Sequence, residues 1–174
     1  MLNGNVKYYI YMAAKPALKL MVGDKELRAI GHVAAQWAYL ESQIDIVIFV
    51  LINQSSTQVP ENNTPQSFKK RMEMLRKTAR VVLDQHSAEL TELLDIATDA
   101  SSLRGFRDDI VHGHWKLKRN KCAEVLTTEI QVFNKWPTLK VNNIPFNAEK
   151  AEDIAAKISE VNLRLVLWCS QCIP

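Results

Sequence analysis

The sequence predicts a mostly α-helical bundle with a small antiparallel β-hairpin or meander inserted before its last helix. Three observations carry this expectation. Apolar residues recur at helical spacing in four separate stretches. The period then changes from 3.6 to 2 after Gly113, and it returns to helical after Asn147. Residues 1–23 read as an N-terminal extension and 24–174 as one helical domain, with the β insertion at about 114–142.

The first helix is expected from Asp24 to Asn53, on the stripe Leu27, Ile30, Val33/Ala34, Trp37, Leu40, Ile44, Val47/Ile48 and Leu51. Asp24 is the expected N-cap, and Glu26 sits in the first turn, where the helix dipole favours an acid. A helix of this length is a rod of roughly 43 Å. Its second half, Ile44 to Ile52, is apolar nearly all round and is therefore expected to be central.

A polar stretch from Asn53 to Ser67, with Pro60 and Pro65, predicts a loop. Ser67 is the expected cap of a second helix, Phe68 to Leu83, packed through Phe68, Met72, Leu75 and Ala79/Val82. Its other face carries Lys69, Lys70, Arg71, Arg76, Lys77 and Arg80 against the single acid Glu73.

The third helix should run from about Ser87 to His112, on Leu90, Leu93/Leu94, Ala97, Leu103, Phe106 and Ile110/Val111. Gly113 would be the glycine that follows its end. Alternation at His114–Lys118, a turn at Arg119–Lys121, β-branched residues from Glu124 to Phe133 and a short run Thr138–Val141 then predict strands. Asn147 should cap the final helix, Ala148 to about Cys169, whose stripe is Ile154, Ile158, Val161, Leu165 and Trp168.

Composition bounds the function. Of 174 residues, 47% are hydrophobic and 24% charged, the balance of a globular chain long enough to fold without disulfides or metal. The net charge of +3 is too small to announce a nucleic-acid partner, so any such reading must rest on local clusters. Three cysteines, Cys122, Cys169 and Cys172, have no framework spacing and suggest a reducing compartment. The Cys169-x-x-Cys172 pair is either a zinc or redox element without a second pair, or two buried or idle thiols. The opening stretch is broken by Lys7, Lys15 and Lys19, and the apolar run Ile44–Ile52 is short of the roughly 20 residues of a membrane span. The expected location is the cytoplasm, away from membranes. Neither a P-loop nor G-x-G-x-x-G occurs, and no Cys/His cluster argues for a metal, so no cofactor is implied.

The chemistry-bearing segment is Arg104 to Trp115. Arg104, Arg107, His112 and His114 crowd the end of a helix otherwise built for packing. Arg107 and His112 are five positions apart, about 140° around a helix axis, so they are not expected to stack. They are expected to flank a groove at the helix end, or to meet a second pair across a dimer axis.

Arg107-Asp-Asp-Ile-Val-His112 resembles the arginine, polar residue, three residues, histidine signature of the HEPN (higher eukaryotes and prokaryotes nucleotide-binding) superfamily. The continuation Ile110-Val-His-Gly-x-Trp115 is similar to one bacterial branch. The helix order agrees: a long first helix with a Glu in its stripe, a basic second helix, the motif at the end of the third, then a fourth. The resemblance implies a metal-independent endoribonuclease, acting as a homodimer, in which the RNA 2′-OH attacks its own phosphate and leaves a 2′,3′-cyclic end. A toxin or defence role with an antitoxin-like protein partner comes by the same analogy. Carried over, His112 is general acid or base, Arg107 holds the scissile phosphate, and Asp108 is the polar residue after the arginine. Imidazole is suited to proton exchange near neutrality, and a guanidinium fork suits a phosphate gaining charge.

Each residue has a structural reading beside the functional one. Arg104–Asp108 can be a solvated i,i+4 ion pair, and a His before a Gly can simply end a helix. Members of such families also serve as non-catalytic modules for dimerisation, nucleotide binding or protein interaction. His114 either joins the site or faces away from it, alternating with Trp115. Glu41, in the apolar stripe of the first helix, needs a partner there, Arg107 or Arg104, unless the edge of the stripe is open to solvent. Lys69, Lys70, Arg76 and Lys77 on the second helix, with Lys116 after the motif, form either an RNA track or a solvated face; Tyr8, Tyr9 and Tyr11 are the loosely placed aromatics available for stacking.

Overall fold

A computed structural model describes residues 23–54, 65–117, 123–133, 136–145 and 147–172, with the strands described by their backbone. The expected N-terminal extension, most of the first loop, the 119–121 turn, Cys122 and the three tyrosines lie outside the described residues, as do the side chains of His114, Trp115 and Lys116.

Four helices form the bundle: α1 (Asp24–Gln54), α2 (Phe68–Val82), α3 (Ala88–His112) and α4 (Ala148–Cys172). Their starts are set by side chains that satisfy otherwise orphaned N–H groups. Ser67 Oγ accepts from the Lys70 amide, Ser87 Oγ from Leu90 and Asn147 Oδ1 from Lys150. One expected cap changes, and one expected terminator holds a different conformation. The Gly23 carbonyl accepts the first α1 bond, from Leu27, so Asp24 is the first helical residue and not the cap. At the other end of α3, Gly113 has φ −71° and ψ 153°, an extended conformation open to any residue. The chain leaves the helix directly, and the left-handed freedom of glycine is unused. Between α3 and α4, strands β1 (His114–Leu117), β2 (Ala123–Phe133) and β3 (Trp136–Pro145) pair antiparallel in that order, with His114 opposite Leu126 and Phe133 opposite Trp136.

The core collects one stripe from each helix: Val33, Trp37, Leu40, Ile44, Val47, Ile48 and Leu51 of α1 against Met72, Leu75, Leu93, Ile110, Ile158, Leu165 and Trp168. Late Trp168 donates its indole N–H to the Glu89 carbonyl, while earlier Arg164 pairs with Asp99, so α4 runs antiparallel to α3. Buried Asn162 donates Nδ2 to both the carbonyl and Oε1 of Gln36, fixing α4 against α1.

Two expectations about the stripes are corrected. Phe106 is 55% exposed, because it lies past Leu103 and Ile110 at the edge of the buried face, on the side away from Ala97 and Ala100. The second half of α1 is not enclosed: Ile46 and Phe49 lie open on its outer side, with Tyr39 above them. By length and composition α1 also resembles a membrane-crossing helix. Here its stripe is spent on the other three helices.

Candidate active site at the end of the third helix

The site arises from two charged residues placed in apolar stripes. On α3, Arg107 stands at helical spacing between Leu103 and Ile110, both buried. On α1, Glu41 stands between Trp37 and Ile44/Ile48 in the same way. Neither charge can enter an apolar interface alone, and each is the natural partner of the other. They meet, with Arg107 Nη2 3.4 Å from Glu41 Oε1 and side chains 19% and 26% exposed. The guanidinium carbon also lies 4.9 Å from the centroid of the Trp37 ring, a cation–π contact that fixes the plane of the group. Phe68 packs against the same indole, 4.6 Å between centroids.

At its other terminal nitrogen, Arg107 Nη1 donates to Asp108 Oδ1 at 2.7 Å and lies 3.2 Å from His112 Nε2. Arg107 and His112, expected to flank one groove at the helix end without stacking, meet there through a terminal nitrogen of the arginine. The arginine side chain is long enough to span the angle between the two positions, and His112 closes the last turn. A guanidinium has only donors, so this contact is a hydrogen bond only when the ring is neutral, protonated on Nδ1, with the Nε2 lone pair facing Arg107. The His112 ring is exposed to solvent. Asp108 also reaches Arg104, Oδ2 to Nε at 3.3 Å, and so bridges the two arginines.

Arg71 and Asp45 are residues that sequence reasoning left out of the site. Arg71 Nη1 lies 3.9 Å from Glu41 Oε2 and 3.6 Å from Asp45 Oδ2, and its Nε donates to the Pro65 carbonyl at 2.8 Å. Glu41 thus stands between two guanidiniums, one at each oxygen. The signal was available: Asp45 is four residues after Glu41 on the same face, and Arg71 borders the stripe Phe68, Met72, Leu75. Burial pushes the Asp45 carboxyl up, Arg71 draws it back, and Glu41 adds to the rise. Its Oδ1 is buried without a hydrogen-bond partner. Asp109 is also raised, first by burial and then by the charge of Asp108.

The expected basic face of α2 divides in two. Lys69, Lys70 and Lys77 are exposed. Arg76 is turned inward, its Nη2 donating to the Ala97 carbonyl at 2.9 Å and to Ser101 Oγ at 3.0 Å. It ties α2 to α3 and is not part of the exposed basic surface. His32 is exposed, with Nδ1 2.7 Å from Glu152 Oε2, an α1–α4 contact far from the motif in sequence. Cys169 and Cys172 both lie in the last turn of α4, their thiols pushed up chiefly by burial. Among the described residues no group of three or more His, Cys, Asp or Glu could hold a metal ion.

The arrangement couples one exposed imidazole to one oriented guanidinium. That is the minimum needed to move a proton beside a phosphate and stabilise the charge that develops there. No family model, curated protein or solved structure matches the chain.

Proposed function

We propose that the protein is a metal-independent endoribonuclease of the HEPN type, on a HEPN-like bundle that carries the 114–145 strands as an insertion. The observation that carries this reading is the 3.2 Å approach of Arg107 Nη1 to His112 Nε2 at an exposed helix end. A phosphate drawn to Arg107 competes for the guanidinium and frees the Nε2 lone pair. That nitrogen takes the proton of the neighbouring 2′-OH, the 2′ oxygen bonds to phosphorus, and the bond to the 5′ oxygen breaks. The leaving oxygen takes its proton from a protonated His112, supplied by a second copy in a homodimer.

The dimer has support in α1. Tyr39, Ile46 and Phe49 lie exposed at spacings of seven and three, and Leu163 and Leu167 lie exposed on α4. On the α1 wheel this seam borders the Glu41–Asp45 edge, so a second copy seated there comes next to the site. A toxin or defence role with an antitoxin-like partner rests on the resemblance alone, and a cytoplasmic location rests on the cysteine usage and the broken apolar stretch at the start of the chain.

The test is cleavage of single-stranded RNA in EDTA. The expected products end in 2′,3′-cyclic phosphate, and DNA of the same sequence stays intact because it lacks the nucleophile. Equal residual cleavage by wild type and His112→Ala would overturn the proposal.

One observation favours a second reading, a non-catalytic module for dimerisation, nucleotide binding or protein interaction. Arg107 already has two carboxylate partners, Glu41 and Asp108. If those pairs persist against RNA phosphates, binding without cleavage is the outcome.

A further inference from the structure

We infer that Arg71 is a second phosphate-binding residue of this site, holding a backbone phosphate beside the one that Arg107 holds on a single-stranded RNA. The inference rests on the proposed ribonuclease reading and extends it from one phosphate contact to a short track.

Two arginines of α2 make the case by contrast. Arg76 is a structural arginine, its inward guanidinium hydrogen-bonded to the Ala97 carbonyl and to Ser101 of α3. Arg71 is as sheltered, with a side chain 17% exposed, yet its terminal nitrogens make no hydrogen bond to any described residue. Among the described residues its guanidinium makes one hydrogen bond, from Nε to Pro65, which fixes the plane and leaves the outer edge of the fork uncommitted there. Its two ion pairs, at 3.6 and 3.9 Å, are too long for hydrogen bonds. A guanidinium held in place, with four of its five donors making no hydrogen bond to a described residue, is prepared for an anion with several acceptor oxygens.

Placement decides which anion. Arg71 and Arg107 approach the two oxygens of the same Glu41 carboxylate, so they stand side by side with a negative spacer between them. One monoanion bridging both would have to displace Glu41. Two consecutive phosphodiesters, one on each guanidinium, leave it in place. Exposed Lys69 and Lys70 immediately precede Arg71 on α2 and add positive charge beside it. Asp45 holds Arg71 only through an ion pair at 3.6 Å, longer than a hydrogen bond.

The experiment measures binding of a short 2′-O-methyl oligouridylate, which cannot cleave itself, across a salt series. In wild type, each phosphate contact contributes about 0.7 to the slope of log affinity against log salt. Arg71→Gln should lower that slope by about this amount and weaken binding about tenfold or more, the loss expected for one charge-assisted contact. Arg76→Gln should lower the melting temperature and leave the slope unchanged. Because Arg71 also holds Pro65, a second variant guards against a folding artefact. Asp45→Asn should tighten binding in the wild-type background, and the gain should vanish beside Arg71→Gln.

An unchanged slope in Arg71→Gln, or an Asp45→Asn gain that survives without Arg71, overturns the inference. So does a wild type that does not bind. Cleavage of unmodified RNA, scored separately, tells the two readings apart. Cleavage that ignores Arg71 leaves the nuclease standing alone, and Arg71-dependent binding without cleavage leaves the phosphate site alone.

Discussion

Arg107 and His112, five residues apart on α3, come within 3.2 Å of each other although a helix separates their positions by about 140°. Asp108 of α3 holds the arginine nitrogen that faces His112, and the other anchors lie outside α3. Glu41 and the Trp37 ring of α1 hold the guanidinium against the end of the helix. The pair is therefore a tertiary product, although both of its members belong to one short motif.

The motif variants should separate chemistry from folding. His112→Ala removes an exposed imidazole, so the melting temperature should stay within about 2 °C while RNA cleavage falls about 10²–10⁴-fold. Arg107→Lys keeps the charge and loses the planar fork that Trp37 and Asp108 orient, so its cleavage should fall steeply as well. Initial rates on one labelled RNA, with melting curves alongside, check both.

The exposed seam of α1 should hold two copies together. Phe49, 66% exposed, makes no large contribution to the core of one copy. Phe49→Asp is therefore expected to leave the helical circular dichroism unchanged and to convert a dimer into a monomer at micromolar concentration. Sedimentation velocity of wild type and variant decides this; a monomeric wild type would remove the assembly from the proposal.

Asp109 should make the fold less stable as pH rises. Its carboxyl is raised above the ordinary aspartate value by burial and by the charge of Asp108, so between the unfolded and folded values the native state binds more protons than the unfolded chain. Stability from this group is fully present at lower pH and is lost as the folded carboxyl ionises. Asp109→Asn should then be the more stable protein at pH 7, by less than about 1 kcal/mol, with the difference gone below about pH 4. Urea melts at several pH values test it.

Two helix-interior glycines offer a stability gain. A Cβ at Gly31 or at Gly105 would meet nothing within 4 Å. With open space and helical backbone, alanine reduces the entropy of the unfolded chain at no steric cost. Gly31→Ala and Gly105→Ala should each stabilise by about 0.5–1 kcal/mol. A loss of stability at Gly31 in thermal melts would mean that its face is covered by something further.

The sequence by itself determined the helices and the cluster at Arg104–His112. The 3.6 period is strong in α1, α2 and α4 and weak in α3, and three helices start on a side chain, Ser67, Ser87 or Asn147, that caps the backbone locally. Such signals act within a few residues, so they survive in the linear chain. It also marked Glu41 as a charge in need of a partner, since an acid in an apolar stripe is costly wherever the stripe packs. Only the tertiary structure decided which partner that was. Arg71 and Arg76 are five residues apart on the same basic helix, yet one faces Glu41 and Asp45 while the other binds the backbone of α3. Their difference follows from where α1 and α3 pass beside α2. It depends on the relative placement of three helices, and no spacing within any one of them encodes it.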